Sequence, residues 1–191
     1  MIDYRLITKK VTTMKRHYGI ADPREILADR GVALLEMDMG RGESAIKGFI
    51  MKCNRMVTVG INTTLSTNAQ NKVLFHETGH LECKHLSTFR SGTLRDSSFG
   101  YRSDSSLLSK MENEANFFAS DYLLDTDETL ELIHEYDLAT VAKILHVPVE
   151  FLDYKLRLLY HTGRFQAYQD FLSVRSDCMK KMQLEDPFLR L

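Results

Sequence analysis

Apolar residues recur at helical spacing from the start of the chain. Ile7, Val11, Met14 and Tyr18 share one stripe, which predicts an amphipathic helix over residues 4–18. Asp22-Pro23 supplies an N-cap followed by proline at N1, and Gly31 supplies a stop, so a second, short helix is predicted over 23–30. The pattern then changes. Val32 to Met37, Lys47 to Lys52 and Met56 to Asn62 read as strands, the last two joined through Cys53-Asn54-Arg55 as a hairpin. A helix over about 67–83 follows, opened by Thr67 and Gln70 as a capping box. The serine-rich stretch from Ser87 to Ser109 shows no period and reads as a long mobile loop. Lys110 to Leu124 is helical, with Ala115, Phe118, Ala119, Tyr122 and Leu123 on its buried face. Asp125 to Tyr136 is mixed. Leu138, Val141, Ala142 and Leu145 mark another helix, and Val147-Pro148 opens one more that Gly163 ends. Residues 164–184 read as helical and 185–191 as a loose end. The order predicts an α+β fold: a small antiparallel or mixed sheet packed on the 67–83 helix, followed by a helical C-terminal segment. The expected division is residues 1–125 and 126–191.

Composition narrows the class. The 191 residues are 43% hydrophobic and 27% charged, the balance of an ordinary globular protein. A net charge of −1 supplies no global basic field for nucleic acid or acidic lipid. No apolar run approaches the ~20 residues that span a bilayer, and the N-terminus lacks the apolar core of a signal peptide. Cys53, Cys83 and Cys178 are scattered, as free thiols in a reducing cytoplasm would be.

The chemistry concentrates in His76-Glu77-Thr78-Gly79-His80. On a helix the two imidazoles stand at i and i+4, with Cβ atoms about 5–6 Å apart, a spacing from which both can grip one zinc ion. Glu77 points off that line, towards a water at the open coordination position whose proton it can accept. Val73, Leu74, Phe75 and Leu81 surround the pentad, and polar histidines in an apolar stripe need partners. The pattern implies metal-assisted hydrolysis of a peptide bond. A catalytic zinc takes three protein ligands, so a third lies elsewhere. Glu112 and Glu114 are about 200° apart on their helix, so only one can face the pentad. Glu114 adjoins Ala115 and Phe118 on the buried side and is the expected ligand; Glu112 lies further round. The alternative for both is a solvated acidic first turn stabilised by the helix dipole. Cys83 reads as a small buried hydrophobe, and His85, five residues beyond His80, as turned well away on an uninterrupted helix. His85, Tyr101, Arg102 and His134 are candidates for a second oxyanion stabiliser. His17, His134, His146 and His161 have no ligand-like spacing.

Several segments together resemble the ImmA/IrrE metallopeptidases. These are Asp22-Pro23, Lys47-Gly48-Phe49, Ile61-Asn62-Thr63-Thr64-Leu65-Ser66, Phe75 to Leu81, and Glu114-Ala115-Asn116-Phe117-Phe118-Ala119 with Tyr122-Leu123-Leu124. The resemblance covers most of residues 18–160; Asp125 stands where the family carries proline. It implies that residues 1–125 are a zinc metallopeptidase domain with His76, His80 and Glu114 as metal ligands and Glu77 as general base. It also implies a typical substrate, a helix-turn-helix repressor of a mobile element or stress regulon. The strand ending Ile61-Asn62 would be the edge to which an extended substrate adds by backbone pairing.

Residues 138–160 look like a helix-turn-helix pair, with His146 at the turn position usually held by glycine. Lys143, Lys155 and Arg157 are balanced there by Asp137, Glu150 and Asp153, and phosphate contacts need a basic face. Packing or docking of a protein is favoured over direct DNA binding. The rival to an enzyme is therefore a non-catalytic regulatory module that docks a repressor, or binds DNA, through these helices.

Overall fold

The structure is a computed structural model that describes residues 2–42, 44–88, 92–96 and 106–165. It is an α+β fold with a four-stranded mixed sheet. The first helix, α1 (Tyr4–Tyr18), is capped by Asp3, whose side chain accepts from the Leu6 amide, and buries Ile7, Val11 and Met14 as their stripe predicts. Asp22 caps α2 (Pro23–Asp29) in the same way through the Arg24 amide. Strands β1 (Ala33–Met37), β2 (Gly48–Cys53) and β3 (Met56–Asn62) follow, with Asn54 in the left-handed region at the β2–β3 turn.

The sheet order is β1-β3-β2-β4, with β1 parallel to β3 and the other pairs antiparallel. The strand ending Ile61-Asn62 is therefore interior rather than an edge: β1 and β2 take its backbone on both sides. Asn62 is fully buried. Its amide donates to the carbonyls of Gly40 and Ile46 at 2.9 Å, and its Oδ1 accepts from the Met39 and Thr64 amides. It thus ties the 38–47 connection to the end of β3. The stretch expected to be a loop contains β4 (Gly92–Asp96), which pairs along the outer side of β2. The remaining positions 89–91 and 97–105, and the tail expected at 166–191, lie outside the described residues.

The long helix α3 (Thr67–Glu82) starts one residue earlier in its capping than expected. Ser66 is the cap, its hydroxyl accepting from the Ala69 amide at 3.4 Å, and Gln70 turns its amide to the Leu65 carbonyl at 2.8 Å. One side of α3 packs Val73 and Leu74 on the sheet with Ile50, Val59 and Ile61. Phe75 enters a second cluster with Ile7, Val11, Phe117 and Phe118 from α1 and from α4 (Ser106–Leu123). Each fully buried phenylalanine contributes about 1.5–3 kcal/mol relative to exposure.

Asp125 accepts from the Asp127 and Glu128 amides and starts α5 (Thr126–Glu135), a full helix where the sequence reads as mixed. Helices α6 (Leu138–Ile144) and α7 (Val149–His161) follow, joined through His146 at φ 52°, a left-handed position consistent with its place at the expected turn. Leu152, Leu156 and Leu159 of α7 close a third cluster, while Leu158 joins the α1–α4 core. No residue from Phe151 to Tyr160 is exposed.

Candidate metal centre

Two close approaches set the site. A Cβ built on Gly79 would stand 2.9 Å from the Ala115 Cα and 2.9 Å from its carbonyl oxygen, so α3 and α4 cross in near backbone contact there. A Cβ on Gly48 would meet Val73 Cγ1 at 2.4 Å and Glu77 Oε1 at 3.4 Å. Glycine at both places lets α3 sit tightly between α4 and β2. The pentad is therefore inside the molecule: His76, Glu77 and His80 are all buried, with Glu77 against β2 at Gly48.

One turn before the crossing, Glu112 of α4 reaches the two rings. His76 Nε2 and His80 Nε2 are 3.0 Å apart; Glu112 Oε2 lies 3.2 Å from the first and Oε1 3.5 Å from the second. Among the described residues, His76, His80 and Glu112 form a group whose donor atoms all lie within 4.8 Å of one another. The carboxylate that meets the rings is thus Glu112, not Glu114. Ala115 marks the face of α4 that touches α3, and Glu112 is three residues before it on that face. Glu114, one residue before it, is rotated about 100° away. The Glu114 carboxylate instead receives His85 Nε2 at 3.0 Å and lies 3.6 Å from Lys110.

His85 is the residue beside the cluster that the sequence places wrongly. The helix does not continue: Cys83 caps it, Lys84 takes φ 60°, and a 3-10 turn runs from His85 to Thr88. Buried Leu86 anchors that turn in the sheet-side core. The reversal brings His85 Nδ1 to 2.9 Å from His80 Nδ1, on the side of the ring opposite Glu112. Cys83 is half-buried, and burial pushes its thiol up to about 11; it takes no part in the cluster, as expected. His134 stands exposed at the end of α5, and Tyr101 and Arg102 lie outside the described residues.

Electrostatics favour the ligand state of His80 and Glu112. Burial pushes His80 down to about 4, against the opposing hydrogen bond of Glu112, so its ring is neutral at pH 7. Burial alone would raise the Glu112 carboxyl, but contacts with His76 and His80 outweigh it and hold the group well below the usual carboxylate range. A neutral imidazole beside an ionised carboxylate is what a divalent cation requires of its ligands. The donor pattern points the same way. His76 Nδ1 lies 2.8 Å from Asn116 Oδ1, an amide oxygen that can only accept. A neutral His76 therefore carries its proton on Nδ1, which leaves Nε2 as the nitrogen able to ligate a metal.

A match to the Peptidase M78 family, described as the IrrE N-terminal-like domain, runs over residues 27–157, more than half of the chain. The chain belongs to this family. It is accordingly a metallopeptidase-type protein with a protein substrate, and the M78 match spans both the pentad and Glu112. No curated protein matches the chain. No helix among the described residues is long and apolar enough to cross a membrane. An open groove of about 460 Å³ lies beside α1, lined by Lys9, Lys10, His17 and Arg30 among others; none of the cluster residues lines it.

Proposed function

We propose that the chain is a zinc-dependent endopeptidase in which His76, His80 and Glu112 hold the metal and Glu77 is the general base. The convergent donor set carries this reading. Two imidazole nitrogens and one carboxylate oxygen are the protein ligands of an open catalytic zinc site. The ring nitrogens stand 3.0 Å apart, with one Glu112 oxygen 3.2 Å from His76 Nε2 and the other 3.5 Å from His80 Nε2. One donor atom from each residue lies within 4.8 Å of the others, close to the roughly 3.3 Å between ligand atoms around one tetrahedral zinc, as metal–ligand bonds of about 2.0–2.1 Å imply. Softer all-thiolate sites or the six to eight oxygens of calcium are a poorer fit to this set.

When bound, zinc would acidify a water at its open position and polarise the scissile carbonyl. The protein groups do the rest. Asn116 holds the His76 ring in one orientation. Glu77, next to His76 on α3 and set against β2, takes the proton of the attacking water on its carboxylate and returns it to the leaving amine. The near-contact of Gly79 with Ala115 fixes Glu112 against the rings, so the site is preorganised by helix packing.

The resemblance to ImmA/IrrE proteins supports a helix-turn-helix repressor as substrate, cut in the cytoplasm. An extended segment of it would pair at an outer strand, β1 or β4, since β3 is interior. The C-terminal pair suits packing better than DNA reading. Its second helix has no exposed residue between Phe151 and Tyr160 to enter a groove, and Lys155 is fully buried on Asp121 at 2.6 Å.

The test uses a proteome-derived peptide library and a purified helix-turn-helix repressor encoded beside the gene, each incubated with zinc-loaded protein and followed by mass spectrometry. Cleavage should vanish on chelation and fall by about 10²–10⁴-fold in Glu77→Gln, which should keep its zinc. Full turnover in that variant removes the base assignment. Cleavage of library peptides but not of the repressor removes the substrate assignment alone.

A further inference from the structure

The structure assigns Glu114 and His85 a positioning role: a carboxylate–imidazole relay that fixes the His80 ring with Nε2 turned to the metal. The inference rests on the zinc reading above and adds to it two residues that touch neither metal nor substrate.

A histidine bound to metal through Nε2 carries its hydrogen on Nδ1. His80 Nδ1 faces His85 Nδ1 at 2.9 Å. With a hydrogen on the first nitrogen, the second must accept, so a neutral His85 carries its own hydrogen on Nε2. That nitrogen lies 3.0 Å from Glu114 Oε2, which can only accept. One direction of donation, His80 to His85 to Glu114, satisfies every contact. The reverse tautomer of His85 would set two N–H groups against each other at His80 and leave a lone pair against the carboxylate. His80 and His85 are both buried, so water cannot relieve either clash. Lys110 Nζ lies 3.6 Å from the other Glu114 oxygen.

The arrangement matches His76, whose Nδ1 is held by Asn116. Asn116 in turn donates to the Tyr154 hydroxyl at 3.3 Å, and Tyr154 donates to Asn113 at 3.2 Å. Each metal-side ring therefore has its rear nitrogen assigned by α4, from Asn116 directly or from Glu114 through His85. Outer groups of this kind orient the ring and raise its basicity as a ligand.

The experiment measures zinc affinity by competition with a chromophoric chelator in the full chain, together with histidine tautomers from long-range proton–nitrogen NMR. Glu114→Leu and His85→Phe should each weaken zinc by about 10–100-fold. Glu114→Gln, whose amide oxygen still accepts, should recover most of that loss, a split that mere packing would not produce. In the zinc-loaded wild type, His80 should show its hydrogen on Nδ1 and His85 on Nε2. A His85 hydrogen found on Nδ1 overturns the relay even if the variants do not fold. So does a Glu114→Leu protein with wild-type affinity; in either case the metal centre itself stands. A wild-type protein that takes up no zinc overturns the metal reading and the relay with it.

Discussion

Two buried polar clusters hang from α4, and they differ in what their carboxylate meets. At its C-terminal end, Asp121 accepts from Lys155 Nζ at 2.6 Å, and the same ammonium reaches Thr126 Oγ1 at 2.9 Å. A cation already faces the buried carboxylate there, so the two opposite charges are paired. At its N-terminal part, two imidazole nitrogens and a carboxylate converge within 3.5 Å. The rear nitrogens are already committed, to Asn116 and to His85. The front gathers one donor atom from each of His76, His80 and Glu112 around a single point, a group that could hold a metal ion. Burial of polar groups does not by itself mark a functional site; convergence of ligand atoms on one point does.

The contrast can be broken at four points. Lys155→Met should have the largest effect, leaving Asp121 buried without its cation and costing about 3–5 kcal/mol of stability. Adding Asp121→Leu should return most of that loss, and zinc affinity should stay unchanged in the double variant. Denaturant melts with and without zinc would show both. Glu112→Leu should do the opposite. Structural zinc sites are worth about 10–16 kcal/mol, so one ligand of four accounts for roughly 3 kcal/mol, or about two orders of magnitude in affinity. The rise in melting temperature on adding zinc should shrink by the equivalent of about 3 kcal/mol relative to wild type. Equal zinc stabilisation in Glu112→Leu and wild type would end the assignment of Glu112. Gly79→Ala forces a methyl group to within 2.9 Å of the Ala115 backbone and should cost about 1–3 kcal/mol. Because the displaced helix carries Glu112, zinc affinity should fall in the same variant. The smallest effect belongs to Asn116→Leu, which frees the His76 ring and should weaken zinc by about tenfold in a chelator competition.

Much of this was legible in the residues. The stripe Ile7, Val11, Met14 survives as written because nothing competes with it. Asp22-Pro23 and the pentad encode local geometry that tertiary context leaves alone. The carboxylate that meets the two rings was harder. Glu112 is the more exposed of the two carboxylates, so the one beside the most apolar neighbours, Glu114, drew the assignment. Gly79 in the pentad and the small Ala115 were the usable signal: they mark where two helices touch, and Glu112 is one turn away on that face. His85 was hidden by a single left-handed residue, Lys84, which no periodicity foretells. Strand β4 was hidden for a related reason, since its residues show no alternation and its pairing depends on β2. The interior position of β3 follows from a parallel crossover to β1 that short-range pattern does not contain.

The reversal at Lys84 makes the spacing between His80 and His85 a matter of loop length rather than helical phase. Adding or deleting one residue there would spare all five pentad positions yet carry the third imidazole off its neighbour. Two chains with identical H-E-x-x-H text could therefore differ sharply in how firmly they retain metal. In this scaffold the signature would mark where an ion sits, and the four residues that follow it would set how firmly it is held.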